Sequence, residues 1–385
     1  MLGLLAAVGC GPNQATIGAE TFPNSDIQAA NDEDLGVGFS TTEQELGSAF
    51  GITGTISAAR VSLTVIADQL MYRPTGLAFK PGEGSLWVVN RGDDSTVIID
   101  NPGKPTQKVT RFFDDSAHFL NNPTQLSFSR LKAEFAVSLD SVNDYNGQAA
   151  GNNFTGPTLF TSNRTEFQGG AASHLDMLHH SPKAMGIAAG ARPTTVASEM
   201  REYWVFNGQA GSIDRYFFNK PHPLGADDHS DGVTIRYAAG QVKRLADVPS
   251  HLAFDTTTRQ LYIADTGNRR VVRLDTRTAI NTAKQIAAYH GETQLFGLTG
   301  TTVQVIADEG DGLSKPSGLL VKSGLVVVGD QATGKIKVFS SAGLLKGEVD
   351  TKLAGKLGGL AEGPDGQLYL LDALAGRVLR LNITP

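Results

Sequence analysis

Histidines gather in one part of the chain, and aspartates accompany them. Six of the eight histidines lie between residues 174 and 251. Two His-x-Asp pairs occur there, and residues two apart face the same side of an extended segment. Neutral imidazole is a zinc ligand, and carboxylates extend the range toward calcium. The candidate cofactor is therefore a divalent metal, zinc or calcium, and its candidate ligands are His174, Asp176, His179, His229, Asp231 and His251.

A recurring sequence phrase predicts the elements that position these residues. An apolar run after Pro or Gly leads to a second apolar strand, a polar turn and a third strand. Copies start at Pro74, Pro123, Pro182, Pro249, Pro316 and Leu357. Repetition every 40–50 residues or so, with several strands per repeat, is typical of a β-propeller, whose stacked blades bury sheet faces that one blade would expose. We therefore predict an all-β, six-bladed β-propeller.

The two ends of the repeat array predict how the ring closes. Val61–Ile66 reads as a strand before the first copy, and the last copy ends at Ile383 with only three obvious strands. We therefore predict that the N-terminal strand completes the last blade. Long insertions are predicted between residues 140 and 182 and between 217 and 249, and long loops often carry binding surface.

The copies resemble NHL repeats. The copy PSHLAFDTTTRQLYIADTGNRRVVRLD, which starts at Pro249, carries this resemblance most clearly. It implies a six-bladed propeller whose inner strands line a central channel, and a fold that often serves as a rigid interaction platform.

His251 has an unusual place in the aligned copies. Four copies have glycine at its position (Gly76, Gly186, Gly318 and Gly359), and the weakest copy has Gln125. In propellers this position lies beside the channel, so an imidazole there points toward the axis. Two interpretations stay open. His251 shares a metal or polar-ligand site at the channel mouth, or it bonds a backbone carbonyl while the other His/Asp segments form solvated turns.

The N-terminus indicates how the protein is anchored. Ala7-Val8-Gly9-Cys10 ends an apolar run at the only cysteine of the chain and resembles a bacterial lipobox. The resemblance implies lipidation at Cys10 and, because Gly11 follows, attachment to the outer membrane of a cell envelope that has one. We assign residues 1–10 to a signal-peptide remnant, 11–56 to a polar, flexible tether and 57–385 to the propeller.

Composition excludes several classes of protein. The chain has 33 Lys and Arg against 39 Asp and Glu, a net charge of −6, and no basic cluster with interleaved aromatics, which argues against nucleic-acid binding. A single cysteine excludes a disulfide scaffold. No apolar stretch reaches about 18 residues, so membrane contact is expected only through the lipid.

Two functions are compatible with these features. The first is a monomeric binding scaffold that is tethered to the envelope and presents a propeller rim to a protein, peptide or glycan. The alternative is a metal-dependent lyase or hydrolase with a His/Asp site in the channel. For the alternative, the resemblance is to the peptidyl-hydroxyglycine lyase, an NHL-type propeller with a histidine-bound zinc. A streptogramin-lyase-like activity is supported by the fold alone, and fold does not determine function.

Overall fold

A computed structural model of the chain describes residues 50–52, 54–56, 60–115, 118–130, 133–142, 156–190, 201–218, 222–225, 232–277, 282–289 and 293–384. All of them belong to the compact unit Thr41–Pro385. Cys10, His229 and Asp231 lie outside the described residues. No helix within the described ranges is both long and apolar enough to cross a membrane.

The predicted six-bladed β-propeller is confirmed. β1 (Gly54–Ile56) and β2 (Val61–Ala67) precede the first full blade. Blades 1 to 3 follow in chain order, and a short helix, α1 (Gly170–Ser173), lies within blade 2. Blade 1 has β3 (Pro74–Phe79), β4 (Leu86–Asn90), β5 (Ser95–Asp100) and β6 (Lys108–Phe113); blade 2 has β7 (Pro123–Phe128), β8 (Glu134–Leu139), β9 (Thr158–Thr161) and β10 (His174–Met177); blade 3 has β11 (Ala184–Ala189), β12 (Arg201–Asn207), β13 (Ser212–Phe218) and β14 (Val233–Tyr237).

Blades 4 to 6 complete the ring. Within the stretch of chain that forms blade 4, two further strands, β18 (Lys284–Tyr289) and β19 (Thr293–Gly297), form an inserted hairpin. Short 3₁₀ turns cover Thr266–Asn268 and Glu309–Asp311. Blade 4 has β15 (Leu252–Asp255), β16 (Gln260–Asp265), β17 (Arg270–Asp275) and β20 (Gln304–Ala307); blade 5 has β21 (Pro316–Lys322), β22 (Leu325–Asp330), β23 (Lys335–Ser340) and β24 (Leu345–Asp350); blade 6 has β25 (Leu357–Glu362), β26 (Leu368–Asp372) and β27 (Arg377–Ile383).

The core lies between neighbouring blades. The innermost strands contact one another in a circle, from β3 through β7, β11, β15, β21 and β25 back to β3. Apolar side chains fill the spaces between the blades, as Trp87 of blade 1 does against Phe135 of blade 2, with ring centroids 5.1 Å apart. Each blade therefore buries its faces against its two neighbours, which a single blade could not do.

The predicted closure by the N-terminal strand is confirmed. β2 pairs antiparallel with β27, from Val61 opposite Ile383 to Ala67 opposite Val378, and becomes the outermost strand of blade 6. Ile66 is buried between blades 6 and 1. The two ends of the propeller thus complete one sheet.

Two features depart from the sequence-based boundaries. Residues 54–56, which the sequence places in the tether, form β1, which pairs in parallel with β24, and Ile52 and Ile56 are buried there. The hairpin β18–β19 pairs in parallel with β14 through β19 and extends blade 3 to six strands. This insertion lies between β17 and β20. The segments that the sequence predicts as insertions, 140–182 and 217–249, contain β9, α1, β10 and β14, and part of each segment lies outside the described residues.

Candidate functional site

The channel mouth, where the inner strands begin, is too narrow for side chains at most of its positions. A Cβ at Gly186 would lie 2.1 Å from the carbonyl oxygen of Ser250, and one at Gly76 would lie 2.8 Å from the Cα of Gln125. Real Cβ atoms do not approach other atoms so closely, so glycine is required where these backbones converge. Gln125 and His251 occupy this position in the two copies that lack the glycine, and their side chains are therefore informative.

Gln125 joins three blades across the channel. Its Nε2 donates to the carbonyl of Leu252 at 2.9 Å, and its Oε1 accepts the backbone N–H groups of Ile187 and Leu252, each at 2.9 Å. The side chain extends from blade 2 to the inner strands of blades 3 and 4 and is buried. One amide thus satisfies three backbone groups at the axis.

His251 bridges the channel from blade 4. Its Nε2 lies 3.1 Å from the carbonyl oxygen of Thr124 in blade 2, and because a carbonyl only accepts, Nε2 carries the proton. Its Cε1 would lie 2.8 Å from a Cβ at Gly359, so the glycine of blade 6 makes room for the ring. The sequence correctly places His251 at the axis. Of the two interpretations of this residue, the observed contact matches the one in which His251 bonds a backbone carbonyl.

Burial controls the charge of His251. Desolvation lowers the pKa of this imidazole from 6.5 to about 4, although the backbone carbonyls of Thr124 and Thr75 act in the opposite direction. His251 is therefore neutral at pH 7 in the folded protein. Burial of a neutral, hydrogen-bonded ring costs little free energy, whereas burial of a cationic ring would cost far more.

The depressed pKa of His251 predicts a loss of stability in acid. Between pH 6.5 and 4 the unfolded chain binds a proton at this residue and the folded chain does not, so stability falls as the pH drops through that window. The expected loss is about 3 kcal/mol, since each pKa unit is worth about 1.4 kcal/mol. Urea unfolding at pH 7.5, 6.5, 5.5 and 4.5 measures it. In His251→Gln, which does not titrate, this part of the pH dependence should disappear, and an unchanged slope would contradict the assignment.

His174, another candidate metal ligand, lies away from His251. His174 begins β10, the outermost strand of blade 2, stacks on Phe119 with centroids 4.0 Å apart and has its Nδ1 2.8 Å from the carbonyl oxygen of Ala171. His251 contacts β7, the innermost strand of that blade, and three strand spacings separate β7 from β10 by roughly 14 Å. Metal bonds of about 2 Å do not span that distance, so His174 and His251 cannot share one ion.

Asp176 and His179 have separate surroundings. Oδ2 of Asp176 lies 3.0 Å from Nδ1 of His222, and both side chains are buried. His179 is buried, and its carbonyl oxygen accepts a hydrogen bond from the Tyr216 hydroxyl. No group of three or more His, Cys, Asp or Glu side chains that could hold a metal occurs among the described residues. The proposed contributions of His229 and Asp231 stay predictions, because both residues lie outside the described ranges.

An ionic network that sequence reasoning missed lies beside the mouth. Asp140, whose side chain is fully buried, accepts hydrogen bonds from Arg91 at 2.9 Å and from Nε of Arg244 at 2.8 Å. Arg91 also donates to Asp247 at 3.0 Å. Arg244 and Asp247 belong to the connection between β14 and β15, which therefore contacts blades 1 and 2 as well as the blades it joins.

The repeat pattern indicates one member of this network, Asp140. Each blade has a buried Asn or Asp at the end of its second strand or, in blade 2, directly after it. In the other blades this residue bonds to the turn that follows, as Asp265 does with Asn268 and Arg270. Asp140 is followed by a long connection and instead pairs with arginines of other segments. The register indicates its burial, but not its partners.

Two of the open grooves on the surface that the described residues form are lined by charged side chains. One, of about 420 Å³, runs between blades 3 and 4 next to the ionic network and is lined by Lys183, Gly208, Gln209, Ala210, Gly211, Val242, Lys243 and Arg244. The other, of about 610 Å³, lies along blade 4 and is lined by Thr257, Thr258, Arg259, Gln260, Arg273, Asp275, Arg277, Thr302 and Gln304. The first contains basic side chains and no carboxylate, and in the second Asp275 forms an ion pair with Arg277 at 2.7 Å.

Comparison with known proteins identifies the fold and not the family. No protein-family model and no curated protein sequence matches the chain. An auxiliary nutrient-binding protein from Bacteroides thetaiotaomicron VPI-5482 is similar over 87% of this chain and 76% of its own, with a TM-score of 0.56 and 12% identity. The calcium-binding protein regucalcin from Agrobacterium tumefaciens matches over 86% and 96%, with a TM-score of 0.51 and 12% identity. A luciferin-regenerating enzyme matches over 84% and 95%, also with a TM-score of 0.51 and 12% identity.

Proposed function

We propose that this protein is a binding protein whose propeller presents the channel-mouth face to a protein, peptide or glycan. One observation carries the proposal. The polar atoms that reach the channel axis, in Gln125 and at Nε2 of His251, are hydrogen-bonded to backbone groups. Polar groups open to a partner lie instead on the surrounding face, where the β14–β15 connection and the basic groove are found.

The structural neighbours are compatible with this function and do not select a ligand. By their descriptions, propellers of this shape include a nutrient-binding protein, a calcium-binding protein and a luciferin-regenerating enzyme. At 12% identity the likeness extends to the fold alone. The support for binding therefore comes from the closed channel of this chain.

The alternative, a metal-dependent lyase or hydrolase, requires His251 to bind a metal through its imidazole. A metal bound at Nε2 would replace the proton that this nitrogen shares with the Thr124 carbonyl and would leave that carbonyl without its partner. Further ligands would have to come from residues near the axis, and His174 is roughly three strand spacings away. The scaffold requires neither change.

Elemental analysis together with a ligand screen separates the two functions. For the full chain we expect less than a stoichiometric amount of bound metal after dialysis, no change of metal content in His251→Gln, and saturable binding of one member of a panel of neutral sugars, acidic sugars and short peptides. Stoichiometric zinc or calcium that is lost in His251→Gln would favour the enzyme. The absence of saturable binding across the panel would count against the scaffold.

The anchor is a second part of the proposal. Lipidation at Cys10 would tether the propeller to a cell envelope through the segment rich in polar residues that follows the cysteine. In a bacterial host that processes lipoproteins, an alkyne-labelled fatty acid should be incorporated into the wild-type chain, and Cys10→Ser should abolish the labelling and release the protein from the membrane fraction. Equal labelling of the two chains would reject Cys10 as the anchor.

A further inference from the structure

The groove between blades 3 and 4 has a rigid floor. The backbone of Val242 donates to Gly211 in blade 3 at 3.2 Å, and the backbone of Lys243 donates to Oδ1 of Asp265 in blade 4 at 2.7 Å. The N–H of Gly267 in turn donates to the Lys243 carbonyl at 2.9 Å. The segment that carries Lys243 is therefore fixed to both blades, so a ligand bound there would not have to order it.

Two basic residues from separate segments contact one glycine. A Cβ at Gly208 would lie 2.4 Å from the carbonyl oxygen of Lys183 and 2.7 Å from Cδ of Arg244. Lys183 comes from the β10–β11 connection, and Arg244 comes from the β14–β15 connection. The missing side chain at Gly208 thus makes room for the backbone of Lys183 and the side chain of Arg244, and both residues line the groove together with Lys243.

The positive charge of the groove is only partly neutralised. Arg91 and Arg244 balance Asp140 and Asp247. The side-chain ammonium groups of Lys183 and Lys243 form no hydrogen bond or ion pair with any described residue. Arg244 donates to Asp140 through Nε and Nη2, and within the described part of the chain its Nη1 has no hydrogen-bond partner. Two uncompensated positive charges and one outward donor remain on a protein whose net charge is −6.

The lining limits the chemistry of a ligand. It contains no carboxylate that could bind a cation and no aromatic ring on which a neutral sugar could stack. The backbone N–H groups of Gln209 and Ala210 already donate to Oδ1 of Asn207, and that of Gly208 donates to Lys183. Binding energy must come from the cationic side chains, which pair best with planar or tetrahedral oxyanions.

The geometry points to an oxyanion site: we infer that this groove binds the carboxylate or phosphate group of a small acidic ligand. The inference rests on the proposed binding function and specifies the ligand class for the channel-mouth face. Asp140 holds the guanidinium of Arg244 as a positioning residue, and Lys183 and Lys243 supply the charge. A volume of about 420 Å³ admits a small molecule or the acidic end of a larger one.

Calorimetric titration of the full chain tests the site with two probes, inorganic phosphate and succinate, at constant ionic strength. We expect one of them to bind saturably with one site per chain, and the identity of that probe distinguishes a phosphate ligand from a carboxylate ligand. In the double variant Lys183→Ala/Lys243→Ala, binding should weaken roughly tenfold, because two charge-assisted contacts are lost. Chloride at the same ionic strength should give no saturable heat.

The matched control removes the same charge elsewhere. Lys104 and Lys108 are exposed near the β5–β6 turn of blade 1, so Lys104→Ala/Lys108→Ala should bind the probe as the wild type does. Thermal unfolding is used to check that both alanine variants are folded. Lys183→Arg/Lys243→Arg keeps both charges and should bind the probe. Failure of both probes to bind the wild type, or equal weakening in the two alanine variants, would overturn the site. If a neutral ligand still binds in the broader screen, the scaffold function stands and only the oxyanion site is wrong.

Discussion

Replacing Gln125 by leucine is expected to lower the free energy of unfolding by about 3–5 kcal/mol. Leucine fills much of the same space but leaves the backbone N–H groups of Ile187 and Leu252, and the Leu252 carbonyl, without their partner at the axis. Each buried polar group left unsatisfied costs about 1–3 kcal/mol. Denaturation by urea, followed by the fluorescence of Trp87 and Trp204, measures the change.

A second glutamine provides the control for this substitution. Gln331 lies in the turn after β22, and its hydrogen bonds with described residues involve only its backbone, so Gln331→Leu should change stability by no more than about 0.5 kcal/mol. Should Gln125→Leu unfold at the same urea concentration as the wild type, the three hydrogen bonds would not be essential for holding the inner strands. A loss confined to Gln125→Leu would identify this side chain as a brace between blades 2, 3 and 4.

The sequence predicts the ring because the ring depends on local patterns. Apolar strands, polar turns and a glycine register repeat in each copy, and the strand before Pro74 has no other sheet to join than the incomplete last one. The same register predicts that His251 and Gln125 reach the axis, since only these two copies have a side chain where glycine is otherwise required.

The candidate site is less predictable because its contacts join distant segments. Arg91 and Asp247 are 156 residues apart, and Arg244 and Asp140 are 104 apart. Periodicity identifies which residues end a strand, but it does not indicate which connection crosses toward another blade. For the same reason the histidine cluster suggests one metal site, although His174 lies on the outermost strand of blade 2 and His251, from blade 4, contacts the innermost strand of blade 2.

The hairpin β18–β19 and strand β1 were missed for a related reason. Both join sheets of other blades through parallel pairs, β19 with β14 and β1 with β24. A parallel partner leaves no turn signal in the intervening sequence. Residues 50–56 look like tether because they are short and have glycines, yet Ile52 and Ile56 supply enough apolar surface to dock on blade 5.

Removal of the closing strand is expected to have the largest effect on the fold. A chain that lacks residues 1–49 keeps every described element, so its melting temperature should match that of the full chain. A chain that lacks residues 1–67 loses β2, exposes the backbone edge of β27 and opens the apolar cluster that contains Ile66. We expect a loss of at least about 5 kcal/mol, which is comparable to the whole stability of many domains, and therefore aggregation or a molten state.

An intermediate truncation separates the two N-terminal strands. Removing residues 1–59 deletes β1 and keeps β2 with its pairing to β27. The ring therefore stays closed, and the chain loses the pairing of β1 with β24 and its apolar contact with blade 5. Its melting temperature should fall by a few degrees, between those of the other two chains. A peptide of residues 60–67 added in excess to the shortest chain should restore part of its cooperative unfolding, because the edge of β27 is the surface that β2 covers. Identical melting of all three truncations would mean that blade 6 is stable with three strands and that the ring does not depend on its N-terminal strand.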